Sequence, residues 1–145
     1  MKRFLLLFSI LAFGLTGCVG DPEFKAITSA PPGATAELHS NKSNDTHAIR
    51  VTEGVAIALE CLDAKGRPCS FDGTTIDDGA TASFRRAYAD LENKDVYSRG
   101  GEQKSSLNRT VFVVTGKKVG QTKMTVRTGY GDVPVNIEVL ATGTK

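Results

Sequence analysis

The chain has 145 residues, with 18 basic and 16 acidic side chains and a formal net charge of +2 at pH 7. Lys2 and Arg3 account for that excess, so residues 18–145 carry 16 charges of each sign. Equal numbers of acidic and basic residues leave no excess positive charge to attract phosphate groups, so no nucleic-acid partner is expected. The 128 residues from 18 to 145 suffice for one domain with a single core.

The chain begins with an apolar run, residues 4–15, placed directly behind Lys2 and Arg3. As a helix this run would span about 18 Å, well short of the roughly 30 Å hydrocarbon core of a bilayer. A short apolar run behind positive charges is typical of an export signal, and not of a membrane-spanning helix or a buried strand.

The run ends at residues 15–18, Leu-Thr-Gly-Cys, which resemble the lipobox of bacterial lipoproteins. The resemblance implies that residues 1–17 are a signal peptide that is removed, and that Cys18 carries a diacylglycerol and, on its freed amine, a further chain such as palmitate. It implies the membrane as a partner through Cys18, because each buried methylene contributes about 0.8 kcal/mol. In enterobacterial lipoproteins an aspartate after the cysteine favours the inner membrane. Val19 stands there, so the cell envelope with a preference for the outer membrane is expected.

Residues 18–36 are predicted to form a spacer that lifts the domain off the membrane. They carry Pro22, Pro31, Pro32 and Gly33 among small and polar residues. A first strand is considered near residues 24–27. The folded domain itself is expected over residues 37–145.

A period of two begins at Ile49 and Val51 and resumes after a break at Glu53 and Gly54. Over residues 55–61, valine, isoleucine, leucine and cysteine alternate with alanine and glutamate. The pattern predicts a strand that is buried on one face only.

Cys61 and Cys69 are an even pair in an exported chain, which favours a disulfide over a two-cysteine metal site that lacks nearby histidines. Residues 64–66, Ala-Lys-Gly, predict a three-residue hairpin loop with Gly66 in the left-handed conformation. That register places the two cysteines opposite each other, at a separation that a disulfide bridges. The same register pairs Asp63 with Arg67 and Leu62 with Pro68.

Residues 81–91 show both helical and alternating spacing, and a strand is favoured because the neighbouring segments are strands. Residues 93–109 are predicted to be a polar loop around a short strand at 96–97. Three further strands are predicted at residues 110–115, 122–128 and 133–139, the first buried on both faces at 111–114. Pro134 lacks a backbone donor, so the last strand should begin at an edge.

Residues 55–66, 113–126 and 133–139 together resemble bacterial immunoglobulin-like domains. Such domains carry an apolar strand that enters an Asp-x-x-Gly turn, and a Val-x-Gly-x-x-x-Gly turn that precedes alternating threonine and valine. The resemblance implies an all-β, immunoglobulin-like antiparallel β-sandwich. It also implies that the strands flanking Gly66 often lie in different sheets, in which case the cysteines brace a corner. The chain departs from the family in having no tryptophan and a long insertion at 93–109.

No sequence motif of a serine hydrolase, zinc protease or phosphate-binding loop is present. A lipidated Cys18 and a paired Cys61 and Cys69 leave no thiol nucleophile. The sequence therefore predicts a protein that is not an enzyme and uses no cofactor.

Two groups of polar residues are given structural interpretations. His39 and His47 are expected on the surface and not as ligands. Asp72, Asp77 and Asp78 are expected to form turns, since they lack the order of a calcium loop. No metal site is predicted.

Tyr97 and Tyr130 are expected at the surface, as candidate contacts for an unidentified protein or glycan. The sequence thus predicts a non-catalytic, membrane-anchored envelope lipoprotein whose sandwich serves as a binding or structural module. The alternative is an inhibitor of a hydrolase, a lysozyme or a protease, that acts through the inserted loop at 93–109.

Overall fold

A computed structural model describes residues 21–41, 46–90, 95–98 and 108–143, and of residues 90, 95–98 and 108–109 only the backbone. Residues 1–20, which include the predicted signal peptide and Cys18, and residues 93–94 and 99–107 of the predicted loop lie outside this part. The part described is all β, and none of it forms a helix long and apolar enough to cross a bilayer. Its strands are β1 Glu23–Ala26, β2 Ala36–Asn41, β3 Thr46–Thr52, β4 Ala56–Leu62, β5 Ser70–Ile76, β6 Ala82–Asp90, β7 Asp95–Ser98, β8 Asn108–Gly116, β9 Gly120–Thr128 and β10 Gly131–Leu140.

The strands form two five-stranded sheets, in the orders β1-β4-β8-β6-β7 and β2-β3-β10-β9-β5. Every pairing is antiparallel except that of β3 with β10, which is parallel. Strand β3 runs parallel to β10. After β3 the chain turns at Glu53 and Gly54 and enters the other sheet as β4. The predicted all-β sandwich is confirmed, and its strands are antiparallel as predicted except for this one parallel pair.

The core between the sheets is built from the alternating residues of both. Met124 and Val126 from β9 face Phe112 from β8 and Leu59 from β4, and all four are almost fully buried. The ring of Phe112 stacks on Phe71 with centroids 5.0 Å apart and an interplanar angle of 15°. Burial of alternate residues is what the period of two predicts.

The predicted spacer is too long, because the sandwich begins at Pro22 and not at residue 37. Pro22 is buried, and Phe24 in β1 is 6% exposed within the core. Ala36, at the other end of the predicted spacer, is also buried. The first strand considered near residues 24–27 is present as β1, but four residues are too few for a strong period, and the surrounding prolines favoured a spacer.

Strand β4 is buried on both faces, so the prediction of a half-buried strand is wrong. Ala58 and Glu60, placed on the solvent side by their spacing, are 3% and 6% exposed. Ala58 belongs to a second apolar cluster, on the face of the sheet that points away from the core, against which Ile27 packs. The cluster's buried members are Ala58, Ala87, Ala89, Val111 and Val113.

The remaining strand predictions can be compared one by one. Residues 82–90 form a strand, as favoured, and β7 contains the short strand predicted at 96–97. The four residues 111–114 are all buried, as predicted. Strand β10 lies in the middle of its sheet, but its pairing with β3 begins only at Val135. Pro134 therefore lies in a segment bordered by β9 alone, which is the edge position that its missing donor requires.

Candidate functional site

The turn between β4 and β5 has the predicted hairpin register. The backbone N–H of Asp63 donates to Arg67 at 2.7 Å, and the N–H of Cys69 donates to Cys61 at 3.0 Å. Gly66 has φ +73°, the left-handed conformation that favours glycine. Asp63 and Arg67 are thus held opposite each other at the base of the loop.

Cys61 and Cys69 form a disulfide, with Cα atoms 5.4 Å apart. Because β4 and β5 belong to different sheets, the disulfide closes a short ladder at the point where the chain passes from one sheet to the other. The sequence offers two alternatives for this disulfide, a hairpin ladder or a brace at a corner between sheets. The structure combines them, because the paired residues lie where the chain changes sheet.

Asp63 is the centre of this turn. Its Oδ1 accepts hydrogen bonds from the backbone N–H groups of Lys65 at 2.8 Å and Arg67 at 3.0 Å. Its Oδ2 accepts from the Nε of Arg67 at 2.8 Å and lies 2.7 Å from Nη2. Burial alone would raise the pKa of Asp63, but the hydrogen bonds from Arg67 and Lys65 outweigh it, so the pKa lies below its ordinary value.

The turn between β9 and β10 meets the β4–β5 turn through Tyr130. The ring of Tyr130 has Lys65 Nζ and the Arg67 guanidinium carbon each 5.6 Å from its centroid. The ring is half-buried, and its hydroxyl oxygen is buried without a hydrogen-bond partner among the described residues. Asp63, Lys65, Arg67 and Tyr130 are called the tyrosine cluster below.

Gly129 explains how the two turns come so close. A Cβ at this position would lie 2.6 Å from Nη2 of Arg67 and 3.3 Å from Oδ2 of Asp63. A side chain at this point would displace the Arg67 guanidinium and disturb its ion pair with Asp63. The observed geometry of the tyrosine cluster therefore relies on a glycine in the β9–β10 turn.

The tyrosine cluster lies at the end of the sandwich where β1 begins. Glu23, the first residue of β1, pairs with Leu62, the residue immediately before Asp63. The opposite end carries the turns at residues 53–55 and 116–120, together with the end of β10. The two ends of the sandwich thus differ in their distance from Glu23, the first residue of β1.

A pocket of about 580 Å³ lies beside the β2–β3 hairpin. Its lining includes His39, Ser40 and His47. Ser40 Oγ and His47 Nδ1 are 2.9 Å apart, within hydrogen-bond distance, and the imidazole packs on Phe24 at 4.6 Å between centroids. The Ser40–His47 contact is a cross-strand neighbour pair of this hairpin.

The prediction that His47 lies on the surface is wrong, whereas His39 is exposed. His47 is 1% exposed because it has the same parity along β3 as Ile49 and Val51 and so points into the core. That period of two was the signal that could have placed it.

The three aspartates of the β5 region do not converge. Asp78 caps its own turn, accepting from the Ala80 N–H at 2.9 Å and the Thr81 hydroxyl at 2.5 Å. The Thr81 and Ala80 hydrogen bonds hold the pKa of Asp78 below its ordinary value. Asp77 instead lies 3.9 Å from Lys123. Among the described residues no group of three or more potential ligands is placed to hold a metal ion.

The sequence-predicted site residues are placed as follows. Cys61 and Cys69 join β4 to the start of β5, and Tyr130 forms the tyrosine cluster. The backbone of Tyr97 in β7 pairs with Tyr88, far from that cluster in the sheet order. Sequence reasoning did not connect Tyr130 with the Asp63 turn, since the two lie in different hairpins and no local pattern joins them.

No protein-family model and no curated protein matches the chain. Matching solved structures come from the surface-layer protein SbsC. Its domains 4 and 5 align with 17% identity and TM-score 0.38, covering 83% of this chain and 54% of that one. Its domains 1–6 align with 17% identity and TM-score 0.42, covering 90% and 22%. A structure of its residues 31–844 aligns with 18% identity and TM-score 0.38, covering 87% and 21%. The chain thus spans about half the length of the first and about a fifth of the other two.

Proposed function

We propose that the protein is a non-catalytic envelope lipoprotein, held on a membrane by lipidated Cys18, whose β-sandwich is a binding and structural module. The observation that carries the proposal is the short distance between the lipobox-like residues 15–18 and the fold. Pro22 is already buried and β1 begins at Glu23. Cleavage before Cys18 would leave the sandwich complete, with almost nothing ahead of it but the modified residue.

The anchor is tested by the mass of the protein extracted from membranes. We expect a chain that starts at Cys18 and carries two or three acyl chains, because two or more chains are needed for stable attachment. Cys18→Ser should leave the protein uncleaved or release it from the membrane. Ser9→Ala, a small change within the apolar run, is the matched control and should leave processing unchanged. A mature chain that retains residues 1–17 and has no acyl group would refute the proposal.

The preference for the outer membrane over the inner membrane is tested by changing Val19, the residue after the cysteine. By analogy with enterobacterial lipoproteins, Val19 favours the outer membrane. Val19→Asp should therefore shift the protein towards the inner-membrane fraction in such a host, while Val19→Ala should not. An unchanged distribution of Val19→Asp would remove the preference for the outer membrane.

The binding role is tested by crosslinking in the intact envelope, followed by identification of the crosslinked product. We expect an envelope protein or a glycan that is recovered with wild type and lost with Cys18→Ser, because the anchor sets the local concentration. Recovery of a lysozyme or a protease instead would favour the inhibitor alternative.

A further inference from the structure

We propose that the tyrosine-cluster end of the anchored sandwich faces the membrane that holds Cys18. In this orientation Lys65, Arg67 and Tyr130 lie in the lipid headgroup layer. This inference rests on the proposed lipid anchor and goes beyond it, because it assigns a membrane-facing surface to the folded domain. The partner is the headgroup region of the bilayer itself.

The tether between Cys18 and the sandwich is short. Four residue steps separate Cys18 from the buried Pro22, which is at most about 14 Å of extended chain. The next residue, Glu23, is paired with Leu62 beside the tyrosine cluster. The anchor therefore holds this end of the sandwich close to the bilayer surface.

The opposite end of the sandwich is farther from Cys18 than the tether reaches. Six residue steps of β4, from Leu62 to Ala56, extend about 20 Å away from the tyrosine cluster. The end of β10 lies beyond them, since Leu140 accepts a hydrogen bond from Glu53 in the turn before β4. With the short tether attached at one end, that far end faces away from the membrane when the sandwich is upright.

The surface of the tyrosine cluster presents cations to solvent. The Arg67 side chain is 58% exposed while its partner Asp63 is 3% exposed, so the cation faces outward and the carboxylate inward. Lys65 is exposed beside it, and both cations lie near the half-buried ring of Tyr130, whose hydroxyl oxygen is itself buried. Exposed cations on flexible apolar stems suit the boundary between headgroups and water.

The same end also carries the acidic residues Asp21 and Glu23, so it is not a strongly basic field. The contact is therefore expected to be short-ranged and to depend on the anchor, which raises the effective concentration of headgroups around the cluster. A chain without acyl groups should not bind vesicles measurably.

The test measures the depth of two matched probes on the acylated protein. Ala64→Cys, in the exposed β4–β5 turn, and Ala141→Cys, exposed after β10, are each labelled with a fluorophore. Cys18 is alkylated and Cys61 is bonded to Cys69, so the introduced thiol is the one that reacts. The protein is placed in phosphatidylethanolamine and phosphatidylglycerol vesicles containing a lipid with a nitroxide on its headgroup.

We expect the label at Ala64 to be quenched several-fold more than the label at Ala141. Equal quenching, stronger quenching at Ala141, or quenching of neither label would overturn the orientation. The second of these results would arise if the far end faced the bilayer, and the third if neither end approached the headgroups. Intact mass is measured on the same sample: an unacylated chain overturns the anchor as well, whereas acylated protein with equal quenching overturns the orientation alone.

A charge reversal tests the headgroup contact separately from the tether. Lys65→Glu should lower the quenching of the label at Ala64, because a carboxylate is repelled by anionic headgroups. Lys118→Glu, at the opposite end, is the matched control and should leave it unchanged. Unaltered quenching with Lys65→Glu would overturn the contact.

Discussion

Asp63 lies beneath Arg67, joined to it by the Nε–Oδ2 hydrogen bond of 2.8 Å and by a second contact of 2.7 Å from Nη2. The carboxylate is buried, whereas the guanidinium is more than half exposed. The two residues also pair through the backbone. The same residue pair therefore closes the hairpin and orients the cation outward.

Removing the cation alone should destabilise the protein more than replacing both partners. Arg67→Met keeps the aliphatic part of the side chain but leaves a buried carboxylate without its strongest partner, which is costly. Asp63→Asn combined with Arg67→Met should recover part of the loss. Urea unfolding of the single and double variants measures the coupling. A double variant that is less stable than Arg67→Met alone would contradict this account.

Stability should decline in acid through the carboxylates whose pKa values are lowered in the folded state. Asp63 and Asp78 both have a pKa below the ordinary 3.8, so their contribution is present above that value and is lost as the pH falls through the lower folded-state pKa. Denaturant unfolding from neutral pH down to about pH 3 should show this decline.

Thr81→Val removes the hydroxyl that bonds Asp78 and should make that decline shallower. Thr75→Val, a similar change at an exposed position of β5, is the matched control and should leave its slope unchanged. Equal slopes in both variants would remove Asp78 as a source of the acid sensitivity.

Loss of the disulfide should lower the free energy of unfolding by about 2.5 kcal/mol, because the unfolded chain regains the conformational entropy that the crosslink removes. The paired variant Cys61→Ala with Cys69→Ala tests this by denaturant unfolding under non-reducing conditions. Wild type in reducing buffer serves as the control and should show a loss of the same sign. A variant as stable as wild type would show that the hydrogen-bonded register alone holds this corner.

Gly116 should not tolerate a side chain. A Cβ there would lie 2.9 Å from Val139, 3.0 Å from Val51 and 3.1 Å from the backbone oxygen of Thr52. Gly116→Ala is therefore expected to cost about 1–3 kcal/mol of unfolding free energy. Gly79→Ala is the matched control, since a Cβ at that position meets nothing within 4 Å, and its effect should stay within about 0.5 kcal/mol. Equal effects of the two changes would argue against a close approach at Gly116.

Phe24 should behave as a core residue although it stands only six positions after Cys18 in the sequence. Phe24→Ala is expected to lower the free energy of unfolding by about 3–5 kcal/mol, because it removes a buried ring from beside His47. Lys25→Ala, its exposed neighbour in β1, should change it by less than about 0.5 kcal/mol. If Phe24→Ala were as mild as Lys25→Ala, residues 22–26 would be a spacer after all.

The sequence by itself determined the features that depend on residues close together in the chain. The alternation that buries Met124 and Val126, the left-handed Gly66 and the register joining Cys61 to Cys69 all follow from local spacing and turn chemistry. Such features are predictable because strand parity and turn type are properties of a few consecutive residues. The lipobox-like residues at the start of the chain are local in the same sense.

Only the tertiary structure decided which of these elements become neighbours. Phe24 is buried because β1 adds to the edge of β4, and Ala58 because a second layer of apolar side chains forms over the outer face of its sheet. Tyr130 reaches Lys65 and Arg67 because two turns from different hairpins meet at one end of the sandwich. Burial and long-range contact depend on the order of strands in the sheets, which no short window of sequence contains.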